Sequence, residues 1–296
     1  MELISIITGL VTMFCWGVGA FLQSIVTRKI GTLKAQFIIS FLAFIPLLLV
    51  YIFFRDLLVV SFENLGLIFL AGLTLVFGLY NMIKGIEIGD ISIVMPLSGS
   101  NSLVTVLLAF FVLNEVLSLP KIISIVLIFV GIIFTSINFK KIKSIRKKKG
   151  VKEGIFALVF QGISFFIVSV ILSDISRYGI YSEPMHYISL YFYSTLINSI
   201  LFLLFAVIKK QIPTKNDLKS IKIVGIQTIN MVLFNVAWIV LNYGISIGKV
   251  SIIMPITSLN IAVTIILAVI FYKEKLITSQ KLGILIVLVG LVLISI

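Results

Sequence analysis

Residues 88–101 read IGDISIVMPLSGSN, and residues 247–260 read IGKVSIIMPITSLN. In each, an apolar run is broken by a proline and closes on small polar residues. Extended outward without a gap, 85–131 aligns onto 244–290 with roughly 18 identities in 47 positions, more than shared apolar bias supplies. Gly85, Gly89, Met95, Pro96, Asn101, Thr105, Ala109, Glu115 and Gly131 match Gly244, Gly248, Met254, Pro255, Asn260, Thr264, Ala268, Glu274 and Gly290. The chain is written as two halves.

Hydrophobic residues make up 60% of the 296 and charged residues only 12%, where soluble domains carry about 25% charge. Apolar stretches of about 18–23 residues separate the charges, long enough to cross a hydrocarbon core roughly 30 Å thick as helices. Ten spans follow, approximately 3–23, 33–54, 65–84, 91–113, 120–138, 153–173, 185–208, 221–244, 250–272 and 279–296. The expected fold is an all-α membrane protein with no room for a separate soluble domain. The first span has no basic residue before it and no small-residue cleavage site after it, so it reads as a retained helix rather than a signal peptide. Cys15 is the single cysteine and lies within that span, which excludes an intramolecular disulfide and a cysteine-based metal cage.

The net charge of +13 does not point to nucleic acid, because its placement follows the spans. About 20 of the 24 Lys and Arg fall on one side of the ten-span arrangement, leaving Arg55, Lys121, Arg177 and Lys249 opposite. The positive-inside rule makes the rich side cytoplasmic, so the chain is expected in the cytoplasmic membrane with both termini outside. Residues 140–152, KKIKSIRKKKGVK, form a basic linker beside anionic membrane lipid. They divide the chain into five-span repeats over 1–139 and 153–296. With an odd number of spans per half, equivalent segments run in opposite directions across the bilayer. That is an inverted repeat, the architecture by which secondary transporters open a midplane site to each side in turn.

Candidate site residues lie on polar faces inside the spans. Pro96 and Pro255 each remove the helical partner of a carbonyl four residues earlier, on Ser92 or Ser251. The result is either a static kink or a partly unwound binding segment. Ser98, Asn101 and Thr105 recur at i, i+3 and i+7, with Thr257, Asn260 and Thr264 at the matching positions. Such residues either join helices or line an aqueous cavity, since lipid leaves an amide unpaired at high cost. Thr12, Trp16 and Gln23 align in the first span, Gln161 and Ser164 in the sixth, Tyr191 with Tyr187, Ser194 and Asn198 in the seventh, and Gln227, Asn230, Phe234 and Trp238 in the eighth. Amides and hydroxyls mixed with aromatics are the usual lining of a small-molecule pocket.

No span carries Asp, Glu, Lys or Arg near its middle, so the cavity is expected to be neutral. Only Glu87, Asp90 and Glu153 near span ends are placed to take part in proton coupling. Glu115 and Glu274 sit where a carboxylate caps the next helix. Lone His186 has no Cys or carboxylate at ligand spacing, and no cofactor or metal is expected.

The paired endings GIEIGDISIVMPLSGSNSLVTVLLAFFVLNEVL and GISIGKVSIIMPITSLNIAVTIILAVIFYKEKL, with FCWG at 14–17, resemble the drug/metabolite transporter superfamily, and specifically its EamA-type transporters. The resemblance implies ten helices in two inverted five-helix repeats, movement of amino acids, metabolites or drugs, and a predominantly outward direction. The expectation is a secondary transporter, an exporter by preference, for a small neutral or zwitterionic metabolite such as an amino acid. Efflux of drug-like compounds and flipping of a lipid-linked precursor are the alternatives. An intramembrane enzyme lacks a nucleophile–base set within the spans. The expected partners are the small-molecule substrate and membrane lipid, with a homodimer compatible and nucleic acid excluded.

Overall fold

A computed structural model describes residues 2–88, 97–113, 118–136, 150–172, 185–272 and 278–294. Pro96, Glu115, Glu274 and most of the basic linker fall outside the described residues. Regular structure among the described residues is helical throughout: α1 Glu2–Ile30, α2 Thr32–Leu42, α3 Phe44–Phe54, α4 Phe62–Ile88, α5 Asn101–Val112, α6 Leu119–Ser136, α7 Val151–Leu172, α8 Tyr187–Ile208, α9 Lys215–Lys219, α10 Ile221–Ile247, α11 Val250–Thr257, α12 Asn260–Tyr272 and α13 Thr278–Ile294. Lipid offers no partner for a backbone N–H or C=O, so an apolar chain crossing it must satisfy both within a helix. Six helical stretches are long and apolar enough to cross a membrane: Leu3–Ile30, Thr32–Leu57, Phe62–Gly85, Val151–Leu172, Tyr187–Ile208 and Ile221–Ile247. Leu97–Val112, Ile122–Gly131 and Val250–Thr264 are shorter apolar helices.

Three expected spans are interrupted among the described residues. Between α2 and α3 the cause is Pro46, which has no N–H for the Leu42 carbonyl; the ladder resumes only with Leu47 bonding Ala43. In the stretch 250–272 the break lies at Ser258 and Leu259, after Pro255 rather than at it. Here Leu259 bonds back three residues to Ile256, and Ala262 to Leu259. Ser100 bonds Leu97 and Leu103 bonds Ser100 in the same way, so the tight three-residue turn recurs at the same register of both halves. His186 is an N-cap, its Nδ1 accepting from the Ile188 N–H at 3.3 Å.

Helix packing exchanges the halves. α1 of the first half runs antiparallel along α10 of the second, with Gly248 against Ser5, Gly244 against Thr8 and Asn230 against Gly19. α7, which opens the second half, packs on α4 of the first in the corresponding way. α5 packs on α7 and α12 on α1, while α6 and α13 pair with each other. Each half therefore completes its own packing only with helices of the other, the reciprocal pattern of a two-fold interface. All eight residues of α11 are buried, between α1, α5, α6 and α10. The outer surface is apolar, with Phe14, Leu48, Phe69, Leu204 and Ile270 exposed, whereas Thr12, Gln227 and Asn242 are fully buried. That distribution suits a lipid solvent.

At the basic end of the bundle Lys34 and Asp217 form an ion pair at 3.4 Å. Thr214 and Asp217 close a capping box, and Gln227 Nε2 donates to the Ala35 carbonyl at 3.1 Å. Backbone and hydroxyl donation from Thr214, with Lys34 beside it, holds the Asp217 carboxyl below its ordinary range. The stability this contributes is present above the ordinary value and is lost as pH falls through the lowered one.

At two equivalent glycines the backbone of another helix comes within the reach of a methyl group. A Cβ at Gly162 would lie 2.6 Å from the Asn101 carbonyl oxygen, and one at Gly17 would lie 2.9 Å from that of Asn260. Gly225 has nothing within 4 Å. Gly17→Ala and Gly162→Ala are expected to lower the thermal melting temperature in detergent, whereas Gly225→Ala should leave it unchanged or raise it, since alanine adds up to about 1 kcal/mol of helix propensity. Equal effects at all three positions would contradict the crossing geometry.

Candidate functional site

The polar stripes face the opposite half. Thr105 donates to the Gly162 carbonyl at 3.0 Å, and Thr264 donates to the Gly17 carbonyl at 3.0 Å. Each threonine also reaches back to its own helix, to Asn101 or Asn260. The two bonds are the same bond with the halves exchanged, and they set the register between them. Gly17 corresponds to Gly162, and Asn260 and Val263 crowd Gly17 as Asn101 and Val104 crowd Gly162.

One residue before each glycine stands a side chain that breaks the correspondence. Gln161 accepts from Asn101 Nδ2 at 2.9 Å through its Oε1. Trp16, its counterpart, instead joins an aromatic cluster whose ring centroids lie 5.8 Å from Phe165, 6.3 Å from Phe234 and 5.7 Å from Trp238. Phe165 and Trp238 stack at 5.6 Å. Phe165 is one turn along α7 from Gln161, so amide and rings share a helix face. The indole N–H of Trp16 and Nε2 of Gln161 are buried and find no hydrogen-bond partner among the described residues. The centre thus presents aromatic faces beside two free N–H donors. That combination holds an apolar or cationic group against the rings and an acceptor against the donors.

The other expected residues divide by location. Ser98 is buried before α5, and Asn260 is half-buried at the start of α12. Thr257 is buried and spends its hydroxyl on the Met254 carbonyl at 2.8 Å, within its own helix. Ser258 donates to that carbonyl too, and shares a hydroxyl–hydroxyl hydrogen bond of 2.6 Å with Ser102 across the halves. Tyr191 lies apart, its hydroxyl bonded to Asn235 Oδ1 in the seam of α8 and α10. Gln23 and Asn230 form a second polar cluster with Gln227, nearer the Arg28–Lys29 end of α1. Pro255 sits inside α11.

Sequence reading missed Phe165, one apolar residue among many, and the serine pair Ser102–Ser258. Phe165 had a usable signal in its i+4 spacing from Gln161. The serine pair had none, because its members are not equivalent in the repeat. Among the described residues no group of three or more His, Cys, Asp or Glu is placed to hold a metal ion.

The comparisons with known proteins agree with this architecture. The sequence pattern of the EamA-like transporter family matches residues 3–137 and again 148–296. An uncharacterized protein of Methanocaldococcus jannaschii is 31% identical over 134 residues, which are 45% of this chain and 97% of that one. A crystal structure of a protein 10% identical in sequence superposes with a TM-score of 0.75, covering 98% of this chain and 95% of the other. At that identity the likeness is one of fold.

Removal of either partner of the Asn101–Gln161 bond leaves a buried amide atom unpaired. A double-mutant cycle of Asn101→Leu and Gln161→Leu, read by denaturant unfolding in detergent micelles, is expected to give a coupling of about 0.6–1.7 kcal/mol. Strict additivity would mean that the bond is not made.

Proposed function

From the premise that this chain belongs to the EamA-like transporter family, and is therefore an integral, multi-pass membrane transporter of small substrates, we propose that it is an alternating-access secondary transporter for a neutral or zwitterionic solute. An amino acid is the leading class. The single observation that carries this reading is the asymmetric centre, where Trp16, Phe165, Phe234 and Trp238 cluster and the indole N–H of Trp16 and Nε2 of Gln161 are buried without a partner among the described residues. A solute with an apolar or ammonium-bearing part and a carboxylate fits both elements. The site has no charged side chain among its described residues, which argues against strongly anionic or cationic cargo.

In this proposal the repeats 1–139 and 153–296, joined by the linker 140–152, are inverted five-helix units. Their reciprocal packing supports a rocking motion about the crossings at Gly17 and Gly162. Two matched crossings of equal chemistry provide two closures of comparable free energy, as alternating access requires. The concentration of Lys34, Lys209, Lys215 and Lys222 at one end of the bundle supports placing that end in the cytoplasm and both termini outside. Outward transport rests on the family resemblance.

Asn101→Ala and Asn260→Ala are each expected to reduce labelled amino-acid flux into proteoliposomes at least about tenfold, equivalent to about 1.4 kcal/mol, with expression retained. Full flux in both variants would make the polar stripes packing elements only. A melting-temperature screen against metabolites grouped by charge should show stabilisation by zwitterions alone; stabilisation by anionic or cationic compounds would overturn the neutral-site argument.

A further inference from the structure

The register that equates Gly17 with Gly162 and Asn101 with Asn260 also equates Gln23 with Val168, Asn230 with Ala71 and Gln227 with Ile68. The two sets could hardly differ more. Val168, Ala71 and Ile68 are buried members of the hydrophobic core. Gln23, Asn230 and Gln227 are a hydrogen-bonded amide cluster, in which Asn230 Nδ2 donates to Gln23 Oε1 at 2.8 Å and to Gln227 Oε1 at 3.4 Å. Local packing has been exchanged to make room. Gly19 stands beside Asn230, where an added Cβ would lie 2.7 Å from Oδ1, while its counterpart Ser164 caps the Ala71 carbonyl at 2.8 Å.

A buried amide cluster is costly in a membrane, and the other repeat shows that the same packing is made with apolar residues. The cluster is also incomplete. Asn230 is 2% exposed, yet its Oδ1 finds no partner among the described residues, and neither does Gln23 Nε2. The two amides are joined by a single bond, with one acceptor and one donor left open. A group presenting a donor and an acceptor on one edge would complete the pair. A carboxamide does so, as does the ammonium and carboxylate head of an amino acid.

We propose that Gln23, Gln227 and Asn230 form a second solute station, separate from the aromatic centre, for a neutral or zwitterionic group carrying both a donor and an acceptor. Seven residues of α1 separate Gln23 from Trp16, about 10 Å along the axis, so a small solute occupies the two places in turn. The station lies toward the basic end of the bundle, and at this level the seam of α1 and α10 is polar and wet, where the equivalent positions Ile68, Ala71 and Val168 in the seam of α4 and α7 are dry. The identity of the solute rests on the functional reading above; the wet seam does not.

The test uses the two chemical markers the chain supplies. Cys15 is the only cysteine, and Trp16 and Trp238 are the only tryptophans. In a Cys15→Ala background, Gln23→Cys and Val168→Cys place single thiols at equivalent positions. A hydrophilic methanethiosulfonate–ethylammonium reagent is expected to modify the thiol of Gln23→Cys at least tenfold faster than that of Val168→Cys in the purified full-length protein. Equal rates would overturn the proposal whether or not any solute is transported. In the second arm, the variant Gln23→Val/Gln227→Ile/Asn230→Ala copies the dry repeat and should retain the wild-type melting temperature. With L-leucine and L-glutamine as probes, its tryptophan fluorescence titration should match wild type while labelled flux falls at least tenfold. Undiminished flux, or binding lost together with flux, would refute a separate station. Absence of any fluorescence response in the wild type would count against the aromatic centre instead, leaving the labelling result to decide the station.

Discussion

Thr105 to the Gly162 carbonyl, and Thr264 to the Gly17 carbonyl, is one hydrogen bond made twice. Much else depends on it. Hydrocarbon has nothing to offer a backbone oxygen, so a helix broken by proline and three-residue turns must find its partners in the protein. The threonine hydroxyls of α5 and α12 reach carbonyls on the unbroken helices of the opposite half, Gly162 of α7 and Gly17 of α1, because glycine allows the two backbones to approach within their range. The halves consequently interlock, α1 along α10 and α7 along α4, and neither makes a complete packing unit alone.

Interlocking by equal bonds gives a symmetric scaffold; the chemistry comes from where symmetry fails. At the residue before each crossing glycine one half places Trp16 and the other Gln161, so one side of the centre is aromatic and the other amide. Two turns further along α1 the division sharpens into an amide cluster opposite a dry core. A symmetric frame carrying an asymmetric lining reconciles two demands on a transporter. Under the alternating-access proposal the two closures must be nearly equal in free energy, while the site must distinguish one end of a solute from the other.

Much of this was legible in the chain. The paired proline segments and the polar stripes behind them follow from residue types that lipid tolerates only for a reason. Asn101, Gln161, Trp16 and Trp238 lie near the crossings at Gly17 and Gly162. Thr257 shows the limit. Its spacing matches Ser98, yet its hydroxyl is taken by the Met254 carbonyl three residues back in its own helix. Tyr191 pairs with Asn235 for a similar local reason, a phenol in apolar surroundings taking the nearest amide. Phe165, one of two dozen phenylalanines, carried only its i+4 spacing from Gln161 as a signal, since an aromatic wall is defined by its neighbours in space.

Sequence by itself determined the solvent, the two-fold repetition and the polar residues that must be kept from lipid, because hydropathy and repeat spacing are properties of the chain. Only the tertiary structure decided which repeat each stripe grips, which amides are joined, and that the equivalents of Gln23, Gln227 and Asn230 lie in a dry core. Those depend on the register between two halves that are distant in the chain, and register is fixed by a few close contacts that no one-dimensional pattern encodes.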